Sequence, residues 1–491
     1  MYIDGQFVES AGREEIVRYS PAHGMAVSRY PAANANDVNV AVSAARKAFD
    51  NGPWPQASGA ERAAVLMKVA SLIEENIEEL AILDTLEAGK PISQTRGEMK
   101  SNADWWRYAA GQARSLHGDS YSNLGSKTLA MLLREPIGVV GMITAWNFPF
   151  SLISQKLPFA LAAGCTVVVK PSEMTSASTL RLGEFLHQAG LPAGVVNIIS
   201  GYGRTVGQQL AEHPDVDMMS FTGSTAVGRQ IIAASAGTIK KVGLELGGKN
   251  GMIVCEDAEL NEAADSLVFG LLLNTGQCCQ SSSRVFVQEQ VHDDFVQRVL
   301  AAIDRVSYGD PLNPQTQVGA IVNEAQISKI CGYVDDARAS GCDIVIGGNR
   351  HPADAGLFFE PTVVTKVRHG ARISKEEVFG PVLSVMTFNG LDEAIRDIND
   401  SDYGLAGGVW TSNVSKGMRA ARAIRAGVVW INAWMEGHPE LPFGGYRQSG
   451  LGREGGRLGI EEYTEIKTLL IKEGPRETWW AGRPDAAAGA E

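Results

Sequence analysis

The residues best placed to do chemistry lie in Asn274-Thr275-Gly276-Gln277-Cys278-Cys279-Gln280. The stretch follows the apolar run Leu271-Leu272-Leu273 and precedes Ser281-Ser282-Ser283-Arg284. Adjacent cysteines there stand beside a glycine, amides and hydroxyls. A thiolate in such a turn can be reached by substrate, and nearby backbone N–H groups can face a developing negative charge, which is what a sulfur nucleophile needs. On its own the pair also reads as small apolar side chains at a helix end, because free cysteine packs as a small hydrophobe.

Other stretches offer the groups such a nucleophile would work with. Glu245, in Leu244-Glu245-Leu246-Gly247-Gly248, is a carboxylate flanked by apolar residues at a strand end. Its pKa should be raised, suiting a general base, although a charge at a sheet rim would look the same. Asn147, in Trp146-Asn147-Phe148-Pro149, joins a buried strand to a helix whose first turn suits Pro149. Its amide can cap that helix or donate to an oxyanion. Phe221-Thr222-Gly223-Ser224-Thr225-Ala226-Val227-Gly228 also joins a strand to a helix. Glycines there admit a close ligand, and a helix N-terminus favours an anion, but the GxGxxG fingerprint is absent. Lys170-Pro171-Ser172-Glu173 closes another strand, where an acid and a lysine can bond ribose hydroxyls or simply face solvent.

The elements that must position these residues alternate along the chain. Helical periodicity covers residues 37–49, 60–86 and 92–116. From residue 138 to 246, buried strand runs at 138–145, 165–169, 195–199, 216–221 and 241–246 alternate with helical stretches. A second series to residue 432 has strand candidates at 251–254, 284–287, 343–346, 382–388, 407–410 and 427–431. This alternation predicts an α/β fold with two parallel, doubly wound sheets. The segments 127–133 and 463–472 read as extended strands outside both series, and residues 486–491 as a frayed tail.

Composition bounds the rest. The 491 residues are 44% hydrophobic and 20% charged, enough for large cores in two or three domains. A net charge of −12 argues against nucleic acid or an anionic membrane as partner. No apolar run can span a bilayer, and no signal peptide is visible at Met1-Tyr2-Ile3-Asp4. The six cysteines are scattered apart from Cys278-Cys279, which suggests a reducing cytoplasm. Eight histidines without ligand spacing, and no CxxC, leave no metal site expected.

Taken together and in order, these stretches closely resemble the aldehyde dehydrogenase superfamily. To those above are added Glu376-Glu377-Val378-Phe379-Gly380-Pro381 and Pro442-Phe443-Gly444-Gly445 with the run on to Glu454, and the likeness extends from about Tyr2 to Lys472. Gln280 departs from the small or aliphatic residue usual in the family. The resemblance implies Cys279 as nucleophile, Asn147 and the Cys279 N–H as oxyanion donors, and Glu245 as general base. It implies coenzyme contacts from Lys170, Glu173, Gly223, Ser224, Val227, Trp146, Glu377 and Phe379 within a Rossmann-variant coenzyme domain. The coenzyme expected is NAD, with NADP less favoured because the Glu173 carboxylate repels a 2′-phosphate. The implied division is residues 1–117 and 137–247 for coenzyme, 248–461 for catalysis, 118–136 and 462–475 for a small β oligomerisation arm, and a 476–491 tail. A homodimer or homotetramer is then expected.

The implied reaction oxidises an aldehyde to its acid through a thiohemiacetal and a thioester on Cys279. Glu245 favours hydrolysis over transfer to coenzyme A. For the substrate channel the expected residues are Phe148, Gln155, Phe269, Cys278, Trp434 and Phe443. Gln155 replaces the arginine of succinate-semialdehyde relatives and the tryptophan of betaine-aldehyde relatives. A neutral aldehyde with an aromatic or hydroxylated body fits best, while Trp434 and Glu436 keep an amino- or ammonium-aldehyde open. A non-catalytic protein on the same fold is disfavoured because Cys279, Glu245 and Asn147 all survive.

Overall fold

A computed structural model describes residues 1–10, 12, 14–351, 356–476 and 478–481. The tail expected to fray, residues 486–491, lies outside the described residues. An eight-stranded sheet runs in the order Gly450–Leu451, Lys241–Glu245, Met218–Thr222, Val139–Ile143, Thr166–Lys170, Val196–Ile198, Tyr2–Ile3, Gln6–Phe7. Its middle five strands are parallel. They are short and rich in valine and methionine because helices cover both faces, so alternation of polar and apolar residues gives way to continuous apolar runs. The chain builds outward from Val139–Ile143 on one side, then crosses to Met218–Thr222 on the other. That reversal opens a crevice at the carboxyl ends of the two strands, where α/β sheets bind ligands.

A second, seven-stranded sheet runs Asp343–Ile346, Thr362–Thr365, Val382–Phe388, Arg284–Gln288, Gly251–Val254, Ala406–Trp410, Val428–Ile431. It is parallel except for the edge pair Asp343–Ile346 with Thr362–Thr365. The strand Thr362–Thr365 is absent from the sequence expectation: four buried residues carry no alternation to mark it. Residues 246–250 lead directly from Lys241–Glu245 into Gly251–Val254. The carboxyl edge of the first sheet therefore faces the amino edge of the second. Gly450–Leu451 returns from the late chain to pair antiparallel with Lys241–Glu245, so residues 248–461 do not all stay with the second sheet.

The long helix expected over residues 60–86 is instead Gly59–Glu75 and Ile77–Ala88. Asn76 breaks it: its N–H turns back to the Ile73 carbonyl and its side chain donates to the Leu72 carbonyl at 2.7 Å. The two stray extended segments pair with each other, Thr464–Lys472 antiparallel to Thr128–Pro136 over nine residues. Ile466 and Leu470 on this ribbon are 58% and 65% exposed.

Candidate active site

The helix Leu260–Leu272 ends in a tight turn, Leu273–Gly276, in which Asn274 (φ 49°), Thr275 (φ 57°) and Gly276 (φ 71°) are all left-handed. Glycine adopts this region freely and asparagine tolerates it, whereas a β-branched threonine is strained. Buried amides hold the turn. The Asn274 N–H donates to Gln94 Oε1 at 3.0 Å, the Gly319 N–H to Thr275 Oγ1 at 3.1 Å, and the Val322 N–H to Gln277 Oε1 at 2.9 Å. Gln277 Nε2 returns to the Asn274 carbonyl at 3.1 Å. On the far side of the cysteines, Asn250 Nδ2 donates to the carbonyls of Cys279 and Ser281 at 2.7 and 2.9 Å.

The turn presents Cys279 partly exposed and leaves Cys278 buried. The Cys279 N–H meets no acceptor among the described residues, which suits an oxyanion donor. A hydrogen bond with Cys278, then burial, hold the Cys279 thiol well above its ordinary pKa, and the carboxylates of Glu377 and Glu245 add to this. The sulfur thus rests protonated and needs a nearby base or positive charge to become a nucleophile.

Asn147 follows the Val139–Ile143 strand at the mouth of the crevice and is 4% exposed. Its Nδ2 donates to the Gln277 carbonyl at 3.1 Å, two residues before the nucleophile. Glu245 ends its strand on the same edge, and Gly444 leaves room for it: a Cβ there would lie 2.8 Å from Glu245 Oε1. Burial, then repulsion from Glu454, raise the Glu245 pKa well above the carboxylate range, against the pull of Lys156 and Arg453. Lys156 Nζ pairs with Glu454 and donates to Ser220 Oγ at 3.2 Å. Lys156 and Glu454 are thus electrostatic partners of the base that the sequence reading passed over. Glu454 stood inside a matching stretch, but nothing in the sequence brought it near Glu245.

The expected coenzyme residues gather along the same edge. Ser224 caps the Thr225–Ser235 helix, accepting from the Val227 N–H at 3.3 Å, and the Gly223 N–H donates to the Glu245 carbonyl at 3.0 Å. A cavity of about 720 Å³ opens beside them, lined by Val227, Phe221, Ile143, Arg204, Gly207 and Ile231 among others. Lys170 borders it, because a Cβ at Gly207 would stand 3.7 Å from Lys170 Cδ. Its ammonium lies 3.3 Å from Glu173. Glu377 accepts from the Gly248 N–H at 2.9 Å, and a Cβ at Gly247 would strike the same carboxylate at 2.5 Å. Phe379, at φ 60°, sets its ring edge-on to Trp146 with centroids 5.4 Å apart.

The six residues expected to line a substrate channel separate into groups. Phe148, half-buried, stacks under the Lys90 ammonium 3.6 Å from its ring centroid, and Gln155 ends the following short helix. Phe443 is half-buried and exchanges backbone hydrogen bonds of 2.6 and 2.7 Å with Glu454. Phe269 is half-exposed in a surface groove of about 380 Å³ with Gln94 and Leu273. Trp434 does not present a ring as lining: it is buried among Trp430, Gly270 and Gly408, and its indole N–H donates to the Gln280 carbonyl at 3.2 Å. It braces the chain just beyond Cys279 from behind.

Known proteins match the chain over nearly its whole length. A sequence model described as the aldehyde dehydrogenase family matches residues 7–469. Aminoacetaldehyde dehydrogenase of Pseudomonas aeruginosa is 42% identical over 96% of this chain and 95% of its own. The crystal structure of an NAD-dependent aldehyde dehydrogenase from Sinorhizobium meliloti superposes with a TM-score of 0.97 at 48% identity, covering 98% of this chain and 96% of that one. Betaine aldehyde dehydrogenase from Staphylococcus aureus, solved in complex with NAD+, gives 0.96 at 37% identity over 98% and 96%. With a matching model over nearly its whole length and relatives this similar from end to end, the chain belongs to the aldehyde dehydrogenase family.

Proposed function

We propose that the protein oxidises an aldehyde to its carboxylic acid with NAD, using Cys279 as nucleophile, Asn147 as oxyanion donor and Glu245 as general base. The observation that carries this reading is the Asn147 Nδ2 hydrogen bond to the Gln277 carbonyl, which ties the donor to the loop bearing the sulfur. Cys279 adds to the carbonyl carbon, and the resulting oxyanion takes bonds from the Asn147 amide and the Cys279 N–H. Glu245, buried and raised in basicity, can take a proton from the water that attacks the thioester.

The residues present fit a dinucleotide. The 720 Å³ cavity, the Lys170–Glu173 pair on its border and the glycine-lined Glu377 carboxylate offer places for an adenine, a ribose and a second ribose in turn. Bound NAD supplies the hydride acceptor. Glu173 favours NAD over NADP by charge. The division into coenzyme and catalytic units, and an arm from residues 118–136 and 462–475, follow the same reading, as does a homodimer or a tetramer of dimers joined through the exposed Ile466 and Leu470. Six free cysteines suit a reducing cytoplasm. Among the described residues no helix is long and apolar enough to cross a membrane.

For substrate, Gln155 and Phe148 favour a neutral aldehyde with an aromatic or hydroxylated body. The exposed acids Glu436 and Glu440, on the segment that follows Trp434, support an amino-aldehyde as the second reading. A panel of benzaldehyde, glycolaldehyde, aminoacetaldehyde and betaine aldehyde, followed by NADH absorbance with NAD and then NADP, tests both points. NAD should give the higher kcat/KM. No NADH from any aldehyde, with Cys279 intact and reduced, would overturn the assignment.

A further inference from the structure

Asn274 is 1% exposed, carries a left-handed backbone, and sits five residues before the nucleophile. Its side chain bonds both within its own loop and beyond it. Nδ2 donates to the backbone carbonyl of Asn147 at 2.8 Å and to the Gln277 carbonyl at 3.1 Å. Asn147 Nδ2 donates to that same Gln277 carbonyl. The bonds run in both directions between the two segments, one from the Asn147 side chain and one to the Asn147 main chain. They close a ring in which the Asn147 amide spends one N–H on the loop and keeps the other for a ligand.

We propose that Asn274 is a positioning residue of the oxyanion site: its amide locks Asn147 to the nucleophile loop, so that donor and sulfur keep one fixed separation. The inference rests on the roles given above to Cys279 and Asn147. The residue type follows from the geometry. The position needs a left-handed backbone, which asparagine tolerates better than other side chains apart from glycine. It also needs a short two-hydrogen donor facing two carbonyls, which glycine lacks and aspartate cannot supply. Asn147 stands on the connection after a strand of the first sheet, whereas the loop precedes a strand of the second. The bond to Asn147 therefore spans the two sheets at the point where their separation matters to the reaction.

The test is a mutant cycle on the full-length protein. Asn274→Gly keeps the backbone conformation and removes the amide. Asn274→Asp keeps the shape and removes the donor, and carries the same comparison if the glycine variant does not fold, as judged by thermal melting. For each variant the rate of the NADH burst, the KM for NAD and the rate of Cys279 alkylation by iodoacetamide are measured. Alkylation exposes the same sulfur but forms no oxyanion. The burst should slow by ~10- to 100-fold, up to the cost of a 1 Å misplacement at the reacting centre. NAD KM and alkylation should stay within about threefold, since a residue acting only on orientation leaves binding and thiol access alone. In an Asn147→Ala background, Asn274→Gly should add less than about twofold, because a residue acting through Asn147 has nothing left to position. A burst within threefold of the parent, alkylation falling in step with the burst, or full multiplication in the double variant would each overturn the proposal. If Asn147→Ala alone leaves the burst unchanged, the proposal also fails, and the fault lies in the role assigned to Asn147.

Discussion

Gly276→Ala should disable the enzyme without touching a reacting atom. Gly276 stands at φ 71°, and a Cβ built there would lie 2.3 Å from both the carbonyl carbon and oxygen of Gly380 and 2.6 Å from Pro381 N. All of these are backbone atoms, which cannot swing aside as a side chain would. Reaching ordinary contact near 3.4 Å requires a relative shift of about 1.1 Å between the nucleophile loop and the segment carrying Phe379 (3.4 less 2.3). A left-handed alanine costs ~1–2 kcal/mol and overpacking a further ~1–3 kcal/mol, so stability should fall by about 2–5 kcal/mol. A 1 Å misplacement at the reacting centre costs on the order of 100-fold in rate. Thermal melting together with kcat at saturating aldehyde and NAD measures both effects. Gly237→Ala is the control, since a Cβ there meets nothing within 4 Å, and it should be neutral in both assays. A Gly276→Ala protein with parental Tm and kcat would refute the close packing of these two segments.

Two further outcomes follow from the charges and the arm. The Glu245 carboxylate is lost as pH falls through its raised pKa, so the acid limb of kcat should sit above the ordinary carboxylate range. Glu454→Gln removes a repelling charge and should move that limb to lower pH, whereas Lys156→Met removes an attracting one and should move it up; limbs unmoved in both variants would contradict the electrostatic account. If the proposed oligomer forms through the exposed apolar ribbon, Ile466→Glu with Leu470→Glu should convert it to monomer in light scattering, and a parent that is already monomeric or a variant of unchanged mass would exclude that surface as the contact.

Much of this fold was legible because its strands are continuous apolar runs separated by turn residues, as at Thr166–Lys170 and Val382–Phe388. Boundaries failed where a single polar side chain decides between continuing and capping, as at Asn76. The hairpin Glu15–Tyr19 with Ala26–Pro31 was missed because its residues are only partly buried and lack a clean alternation. In the site, Cys279, Asn147 and Glu245 were legible as residue types in telling turns, and the family resemblance set their roles. The groups that hold them were not. Asn274 and Gln277 lay in the quoted stretch, yet their partners Asn147, Ala320 and Val322 are remote in sequence, so only folding discloses the bonds. Trp434 was read as lining because an aromatic near a polar loop suits a channel, but its Nε1 is spent on the Gln280 carbonyl and its ring on two glycines.

The central claim is a thioester on Cys279 that Glu245 helps water to release, and Glu245→Gln tests it most directly. The amide keeps the shape of the side chain but cannot take a proton from water. Mixing the variant with NAD and an aldehyde that the parent oxidises, in a stopped-flow instrument, should give an NADH burst approaching one equivalent per active site and then almost no turnover. Mass spectrometry of the quenched protein should place the acyl group on the peptide that carries Cys279. A variant that turns over at the parental rate, or an acyl group found on any other residue, would contradict the account.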